Sequence, residues 1–231
     1  LPNPGDYSFL YTGDADNLTV KWWTTDENIT ENGMYGQKGI LHNETIWHAF
    51  RGTILVSVCC SLLAGTIGTM IGYAVSKTRR SRWANYVNAV AFLPYLMPSL
   101  AVGVAFFVFG SSMGIFNTYL LLVLAGTVKY IPFASRSALS SMMQLSGEIE
   151  EAAIIQDIPW HKRMLNIIIP IQKTSIMSGY LLPFITCVRE LTLFMLLCSQ
   201  TKIITTMLDY FDEMGLYAFS SGINLILIVF I

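Results

Sequence analysis

Long apolar stretches without a charged side chain dominate the pattern of the chain. One runs from Gly52 to Ser76 and a second from Trp83 to Val128. A helix needs roughly 20 apolar residues to cross a membrane. The first stretch therefore predicts one membrane span. The second predicts two spans with a turn at residues 110–114, where Gly and Ser interrupt the apolar pattern.

Two more spans are predicted nearer the C-terminus. Residues 174–201 form an apolar stretch that Arg189-Glu190 interrupts, and another begins near Gly215 and is still apolar at Ile231. This last stretch has 17 residues, and residue 1 is Leu rather than Met, so we expect a fragment of a longer polypeptide. The predicted fold is an all-α, polytopic transmembrane helix bundle of five spans, the last one truncated.

Composition and charge agree with a membrane protein. Hydrophobic residues make up 53% of the chain and charged residues 13%, about half the usual share of a soluble domain. The net charge of −1 gives no sign of nucleic-acid binding.

Lys and Arg counts predict the orientation. Nine of these residues lie between the first and second spans or between the third and fourth, and four lie on the other side. The richer side is predicted to be cytoplasmic. Residues 1–50, with a net charge of −5, then form an extracytoplasmic segment, and residues 51–231 form the membrane domain. The Trp22-Trp23 pair in the first segment is consistent with a docking patch, a position at the membrane interface or simple loop packing.

Enzyme chemistry has no visible motif to rest on. The chain has no phosphate loop, no Gly-x-Ser-x-Gly elbow and no His-Glu-x-x-His sequence. No Cys and His residues have metal-ligand spacing. We therefore expect no catalytic residue, no metal site and no cofactor in this chain.

The predicted cytoplasmic loop, residues 137–173, has a helical pattern of its own. Ser146 is a suitable helix N-cap, and Ile149, Ala152 and Ala153 would share one apolar face. A second short helix is predicted from Trp160 to Ile169 and closed by Pro170. A helix that rests on lipid favours Lys and Arg on its polar face, but residues 146–158 have neither and carry four acids. The pattern thus favours docking of another protein.

The loop resembles the EAA loop of binding-protein-dependent ABC transporter permeases, the MetI-like inner-membrane components. Glu151-Ala152-Ala153 is followed by Asp157 at the position of the family's usual Gly, and by Pro170 thirteen residues further on. Trp160 lies where the family often has an aromatic residue. If the turn requires a positive φ at position 157, Asp adopts it less readily than Gly but better than most residues.

Other segments extend the resemblance over roughly residues 46–231. Pro94 and Pro98 are similar to the family's Pro-x-x-x-Pro segment and predict a broken helix. Pro132 belongs to a Pro-Phe-x-x-Arg sequence that leads into the loop, and we expect a helix break there as well. Arg189-Glu190 resembles a sequence of the ferric-iron permeases, and Pro183 is expected to bend the helix before it.

The resemblance implies a permease subunit of an ATP-driven importer in the bacterial cytoplasmic membrane. Its partners would be a cytoplasmic ABC ATPase dimer that holds the ATP, a second permease half (a second copy, or a fused or paired domain) and an extracytoplasmic substrate-binding protein. Glu151, Ala152, Ala153 and Asp157 would lie at or near the ATPase. The resemblance favours ferric iron as the substrate, with polyamines, sulfate, molybdate and phosphonates close behind.

Two questions stay open from the sequence. Arg189 and Glu190 are costly inside a span, so they either form a gate, a packing contact or a lining of the substrate path, or they lie in a hydrated cavity beside a short or bent helix. The alternative function is a secondary transporter or channel not driven by ATP. A membrane-anchored receptor that acts through residues 1–50 would not need the patterned loop.

Overall fold

The computed structural model describes residues 20–28, 37–78, 80–199 and 201–231. Within these ranges the regular elements are helices, which confirms the all-α prediction. The α-helices are α1 (Lys21–Thr24), α2 (Glu44–Lys77), α3 (Arg82–Leu96), α4 (Ser99–Ser112), α5 (Tyr119–Gln144), α6 (Gly147–Ile155), α7 (Trp160–Arg163), α8 (Ile169–Ile171), α9 (Lys173–Val188), α10 (Thr192–Met195), α11 (Ile204–Glu213) and α12 (Tyr217–Phe230). A 3₁₀ turn covers Ile40–His42, and a π-helical segment, Met164–Ile168, joins α7 to α8.

Helix α2 is the element whose length and composition suit a membrane crossing most directly. It has 34 residues. Helices α3 and α4 are long and apolar enough to cross a membrane only when they are taken together, and they are bent by 101° at the break between them. By length and composition, the described part of the chain thus has one helix able to span a membrane, or two if the bent pair forms one span. The number of five spans stays a prediction.

The chain divides into two compact units. One contains residues 1–53 and 199–231, and the other contains residues 54–198. The predicted side of the membrane for residues 1–50 stays a prediction, and much of that segment, residues 1–19 and 29–36, lies outside the described residues.

In the first unit, the described N-terminal residues pack on the C-terminal helices. The Trp22 ring meets Phe219 of α12 edge-on, with 5.6 Å between ring centroids. Gly222 lies so close to Ile40 that an added Cβ would be 2.1 Å from the Ile40 side chain. Asn43 caps α2, because its Oδ1 accepts a hydrogen bond from the Thr45 amide at 3.1 Å. Packing within this unit is therefore the role that the structure gives Trp22.

In the second unit, small residues let α2 and α5 approach closely. An added Cβ at Gly68 would lie 2.5 Å from the Ala134 Cβ, and one at Gly72 would lie 2.7 Å from the Ala138 Cβ. Glycine and alanine at such spacing allow helix backbones to come together where lipid supplies no hydrophobic driving force. Helix α9 also packs along α5.

The sequence predicts that four prolines, at positions 94, 98, 132 and 183, break or bend helices, and their effects differ. Met97 is extended, with ψ of 133°, because the proline that follows it disfavours the α conformation, and α4 starts directly after Pro98. The interruption between the two helices thus occurs at residues 97–98, and Pro94 lies inside the last turn of α3. Helices α5 and α9 continue through Pro132 and Pro183, so these two prolines end no helix.

Candidate functional site

The segment between α5 and α9 starts with a capped helix. The Ser146 Oγ accepts a hydrogen bond from the Glu148 amide at 3.3 Å, which confirms Ser146 as the N-cap of α6. Carboxylates in the first turn, among them Glu148, are favourable at the positive end of the helix dipole. The local sequence therefore explains where this helix begins.

A left-handed residue ends α6. Asp157 has a φ of 53°, the Ile158 amide donates to the Ala153 carbonyl at 3.1 Å, and the Asp157 amide donates to the Ile154 carbonyl at 3.0 Å. These two hydrogen bonds form a Schellman motif, in which the residue with positive φ is usually Gly. The positive φ at position 157 gives a physical reason for a Gly there, and in this chain Asp adopts that conformation.

The buried face of α6 differs from the predicted apolar face. Glu150 and Ala153, three residues apart, are 6% and 5% exposed, whereas Ile149 and Ala152 are exposed. Ile149, Ala152 and Ala153 are thus not buried together, because the partner of the Glu150 carboxylate lies on α2 and the side of α6 with Glu150 and Ala153 turns inward. As a result the outer surface of α6 carries Ile149, Ala152 and, at 83% exposure, Ile155.

Glu150 attaches α6 to the C-terminal end of α2. The Tyr73 hydroxyl donates to Glu150 Oε1 at 2.6 Å, and the Lys77 ammonium forms an ion pair with Oε2. Burial alone would raise the pKa of the Glu150 carboxyl, but the hydrogen bonds from Lys77 and Tyr73 outweigh burial and hold that pKa below its usual range. The carboxylate therefore stays ionised at neutral pH and keeps both contacts.

Apolar packing holds the second half of the segment. Met164 and Ile168 of the π-helical stretch are 2% and 1% exposed and form a cluster with Met142 and Ile176. The Trp160 ring lies near the Tyr73 ring, with 6.3 Å between centroids.

The second short helix of the segment is longer and less regular than predicted. It runs from Trp160 through the π-helical residues to Ile171, and the interruption comes at Gln172. Pro170 therefore does not close it, because the helical backbone continues through Pro170 to Ile171. Trp160 and Pro170 are both exposed, as are Glu151 and Asp157.

Arg189 and Glu190 lie in the short non-helical connection between α9 and α10, not inside a helix. Helix α9 ends at Val188, and Glu190 Oε1 accepts a hydrogen bond from the Leu193 amide at the start of α10, at 3.0 Å. Its other oxygen, Oε2, accepts from the Tyr130 hydroxyl of α5 at 2.8 Å. Glu190 thus caps one helix and joins it to another, which agrees with a short helix before the pair.

The pair borders a cleft of about 460 Å³ in the second unit. Its lining combines aromatic rings with charged and hydroxyl groups: Tyr95, Lys129, Tyr130, Phe133, Ile185, Thr186, Arg189 and Glu190.

Lys129 supports the broken helix on the other side of this cleft. Its ammonium donates to the Pro94 carbonyl at 3.1 Å and to the Met97 carbonyl at 2.5 Å. The last carbonyls of a helix have no partner in the helix, and a cation there also meets the negative end of the dipole. The break between α3 and α4 is therefore compensated by a charge from α5.

Sequence reasoning missed Tyr73, Lys77, Lys129 and Tyr130. The first two are 77 and 73 residues from Glu150 in the sequence, and no local pattern pairs them. Lys129 did carry a signal, since it is the first charge after 46 uncharged residues that contain a predicted helix break. Such a charge next to a broken helix is a candidate cap for its carbonyls.

Known proteins with similar sequences were found, although no family model matches the chain. The molybdate/tungstate transport system permease protein WtpB of Pyrococcus abyssi (strain GE5 / Orsay) is 24% identical over 188 residues, 81% of this chain and 75% of WtpB. The inner membrane ABC transporter permease protein YcjP of Escherichia coli (strain K12) is 29% identical over 60% of this chain and 48% of YcjP.

A third match covers nearly the whole chain. The ferric transport system permease protein FbpB of Actinobacillus pleuropneumoniae is 21% identical over 96% of this chain, which corresponds to 32% of FbpB. The chain thus spans three quarters of WtpB but only about half of YcjP and a third of FbpB. These matches confirm the resemblance that the motifs predicted: by sequence the chain is similar to ABC transporter permeases, and the ferric-iron group is one of several among them.

Proposed function

We propose that this chain is a transmembrane permease subunit of an ABC transport system in the bacterial cytoplasmic membrane. It forms part of the substrate path, and it receives the movement of a cytoplasmic ATPase through residues 147–171. ATP hydrolysis takes place on that separate subunit. The similarity to ABC permeases along most of the chain supports this function.

The observation that carries the proposal is the construction of the 147–171 segment. Its inner side is attached to α2 through Glu150 and to a buried cluster through Met164 and Ile168. Its outer side exposes Ile149 and Ile155. A segment that moves a helix must be rigidly joined to that helix, and it must offer a partner an apolar surface. Both requirements are met here.

In this proposal the outer surface contacts the ATPase, and the resemblance to EAA loops supports that contact. Glu151, Ala152 and Asp157 are exposed there, and the small side chain of Ala152 allows close approach. Ala153 is buried, so its role in the proposal is to keep α6 close to the body of the protein. The loop then faces the cytoplasm, and residues 1–50 lie outside.

The other proposed partners are a second permease half and an extracytoplasmic substrate-binding protein. The relatives carry the names of different substrates, molybdate or tungstate for WtpB and ferric for FbpB. We therefore propose a small inorganic ion as the substrate class, with ferric iron as one candidate.

Co-purification tests the ATPase partner. The full-length protein is solubilised from native membranes in mild detergent, and the proteins that accompany it are identified. We expect a nucleotide-binding subunit with the unmodified protein and its loss in Ile155→Glu. Leu41→Glu is the matched control, because it places the same charge on an exposed apolar residue of the predicted outer side.

Two results would count against the proposal. If no ATPase accompanies the protein under conditions that keep a known ABC transporter intact, a secondary transporter or channel becomes the leading function. If Ile155→Glu and Leu41→Glu retain the ATPase equally, the outer surface of α6 is not the contact.

A further inference from the structure

The cleft beside Arg189 contains more positive than negative charge. Lys129 and Arg189 line it together with one carboxylate, Glu190. Both oxygens of that carboxylate already accept hydrogen bonds, Oε1 from the Leu193 amide and Oε2 from the Tyr130 hydroxyl. The negative charge is thus engaged in holding α5 and α10 together, and the net charge of the lining is positive.

The two cations of the cleft, Lys129 and Arg189, differ in their hydrogen bonding. The Lys129 ammonium is fixed by the Pro94 and Met97 carbonyls, which leave its positive charge in place at the cleft wall. The Arg189 guanidinium, by contrast, makes no hydrogen bond or ion pair with any described residue, and the residue is exposed to the cleft. A guanidinium with free donors in a fixed fork binds two oxygens of one anion, and it does so better than an ammonium.

The volume of the cleft and the interrupted helices around it fit a small hydrated ligand. Liquid water takes about 30 Å³ per molecule, so a cleft of about 460 Å³ holds a small anion with several waters. Tyr95 lies next to the break between α3 and α4, and Arg189 follows the end of α9. In membrane proteins, irregular backbone is tolerated where it lines a water-filled cavity, and broken helices commonly surround a transport site.

We propose that this cleft is an anion subsite on the substrate path and that the transported substrate is a small oxyanion. The proposal rests on the transport function proposed above and narrows the substrate class from a small inorganic ion to an oxyanion. Arg189 binds the anion directly, Lys129 contributes a second positive charge, and Glu190 positions the elements around them. A ferric cation would need several oxygen ligands, and no group of three or more potential ligand residues occurs in the described part of the chain.

Equilibrium dialysis of the full-length protein in detergent tests the subsite without any ATPase. The probes are radiolabelled molybdate, phosphate and sulfate, each compared with ⁵⁵Fe as ferric citrate. We expect at least one oxyanion to bind, a tenfold or larger loss of affinity in Arg189→Gln, and a smaller loss in Arg189→Lys, which keeps the charge but not the fork. Lys173→Gln, an exposed charge at the other end of α9, is the matched control and should bind as the unmodified protein does.

Uptake of the same probes into cells that express each variant is the second arm. Oxyanion uptake that Arg189→Gln abolishes, with normal amounts of protein in the membrane, supports the subsite on the path. Oxyanion uptake that depends on Arg189, together with no nucleotide-binding subunit in the co-purification described above, would overturn the proposed ABC function and leave the subsite standing. Ferric binding or uptake without oxyanion binding, no binding of any probe, or equal binding by Arg189→Gln and the unmodified protein would overturn the subsite.

Discussion

Removal of the Glu150 carboxylate should release α6 from the end of α2. Glu150→Ala deletes the acceptor of the 2.6 Å hydrogen bond from Tyr73 and the partner of Lys77. A hydrogen bond to a charged group contributes about 1.5–3 kcal/mol. The Lys77 side chain is 38% exposed, so solvent screening reduces its ion pair to about 0.5–1 kcal/mol. The attachment is therefore expected to lose about 2–4 kcal/mol.

Hydrogen exchange measures this loss directly. A cost of about 2–4 kcal/mol corresponds to an increase of about 30- to 900-fold in the open population, which should appear as faster amide exchange in residues 147–155. Tyr73→Phe removes only the hydroxyl and should give a large part of the increase in amide exchange. Glu148→Ala is the matched control, since Glu148 is an exposed carboxylate in the same first turn and contributes through the helix dipole alone.

The pKa of Glu150 also determines how the attachment of α6 depends on pH. The pKa of Glu150 is lower in the folded protein than its ordinary value of about 4.3. A carboxyl of this kind stabilises the fold above its unfolded-state pKa, and the contribution is lost as pH falls through the folded-state pKa. Protection of residues 147–155, corrected for intrinsic exchange, should thus be constant between about pH 7 and pH 5. Equal exchange in Glu150→Ala and Glu148→Ala, or a loss of protection between those two pH values, would refute the reasoning.

Three further substitutions test the turn, the outer surface and the helix packing. Asp157→Gly should keep or raise the thermal stability of the protein, whereas Asp157→Ala should cost about 1–2 kcal/mol, because φ is 53° at this position; equal melting temperatures for the two variants would contradict the role of the turn. Ala152→Arg should leave folding intact and lower the substrate transported per ATP hydrolysed in proteoliposomes, and normal transport by this variant would remove Ala152 from the proposed contact. Gly68→Ala should cost about 1–3 kcal/mol, because its Cβ would lie 2.5 Å from that of Ala134. Gly147→Ala, whose nearest neighbour would be 3.8 Å away, is the control for a helical glycine, and an equal loss of stability in the two would argue against close packing.

The sequence alone was sufficient for features that depend on neighbouring residues. Charge-free apolar runs predicted α2, the Pro-x-x-x-Pro segment predicted the break that occurs at Pro98, and Ser146 predicted the start of α6. Each of these depends on backbone sterics or on hydrogen bonds within a few residues. The motif that ends at Pro170 likewise indicated the permease resemblance, because its residues lie close together along the chain.

The face of α6 that turns inward was decided by the tertiary structure. Helical spacing places Glu150 with Ala153 as readily as it places Ile149 with Ala152, and the choice depends on Tyr73 and Lys77 at the end of another helix. The same holds for the cleft, where Glu190 meets Tyr130 across 60 residues of sequence. A local pattern can show that a charge is present in an apolar region. Which partner compensates that charge depends on contacts between distant segments, because a buried ion is stable only where the folded chain brings its hydrogen-bond partners to it.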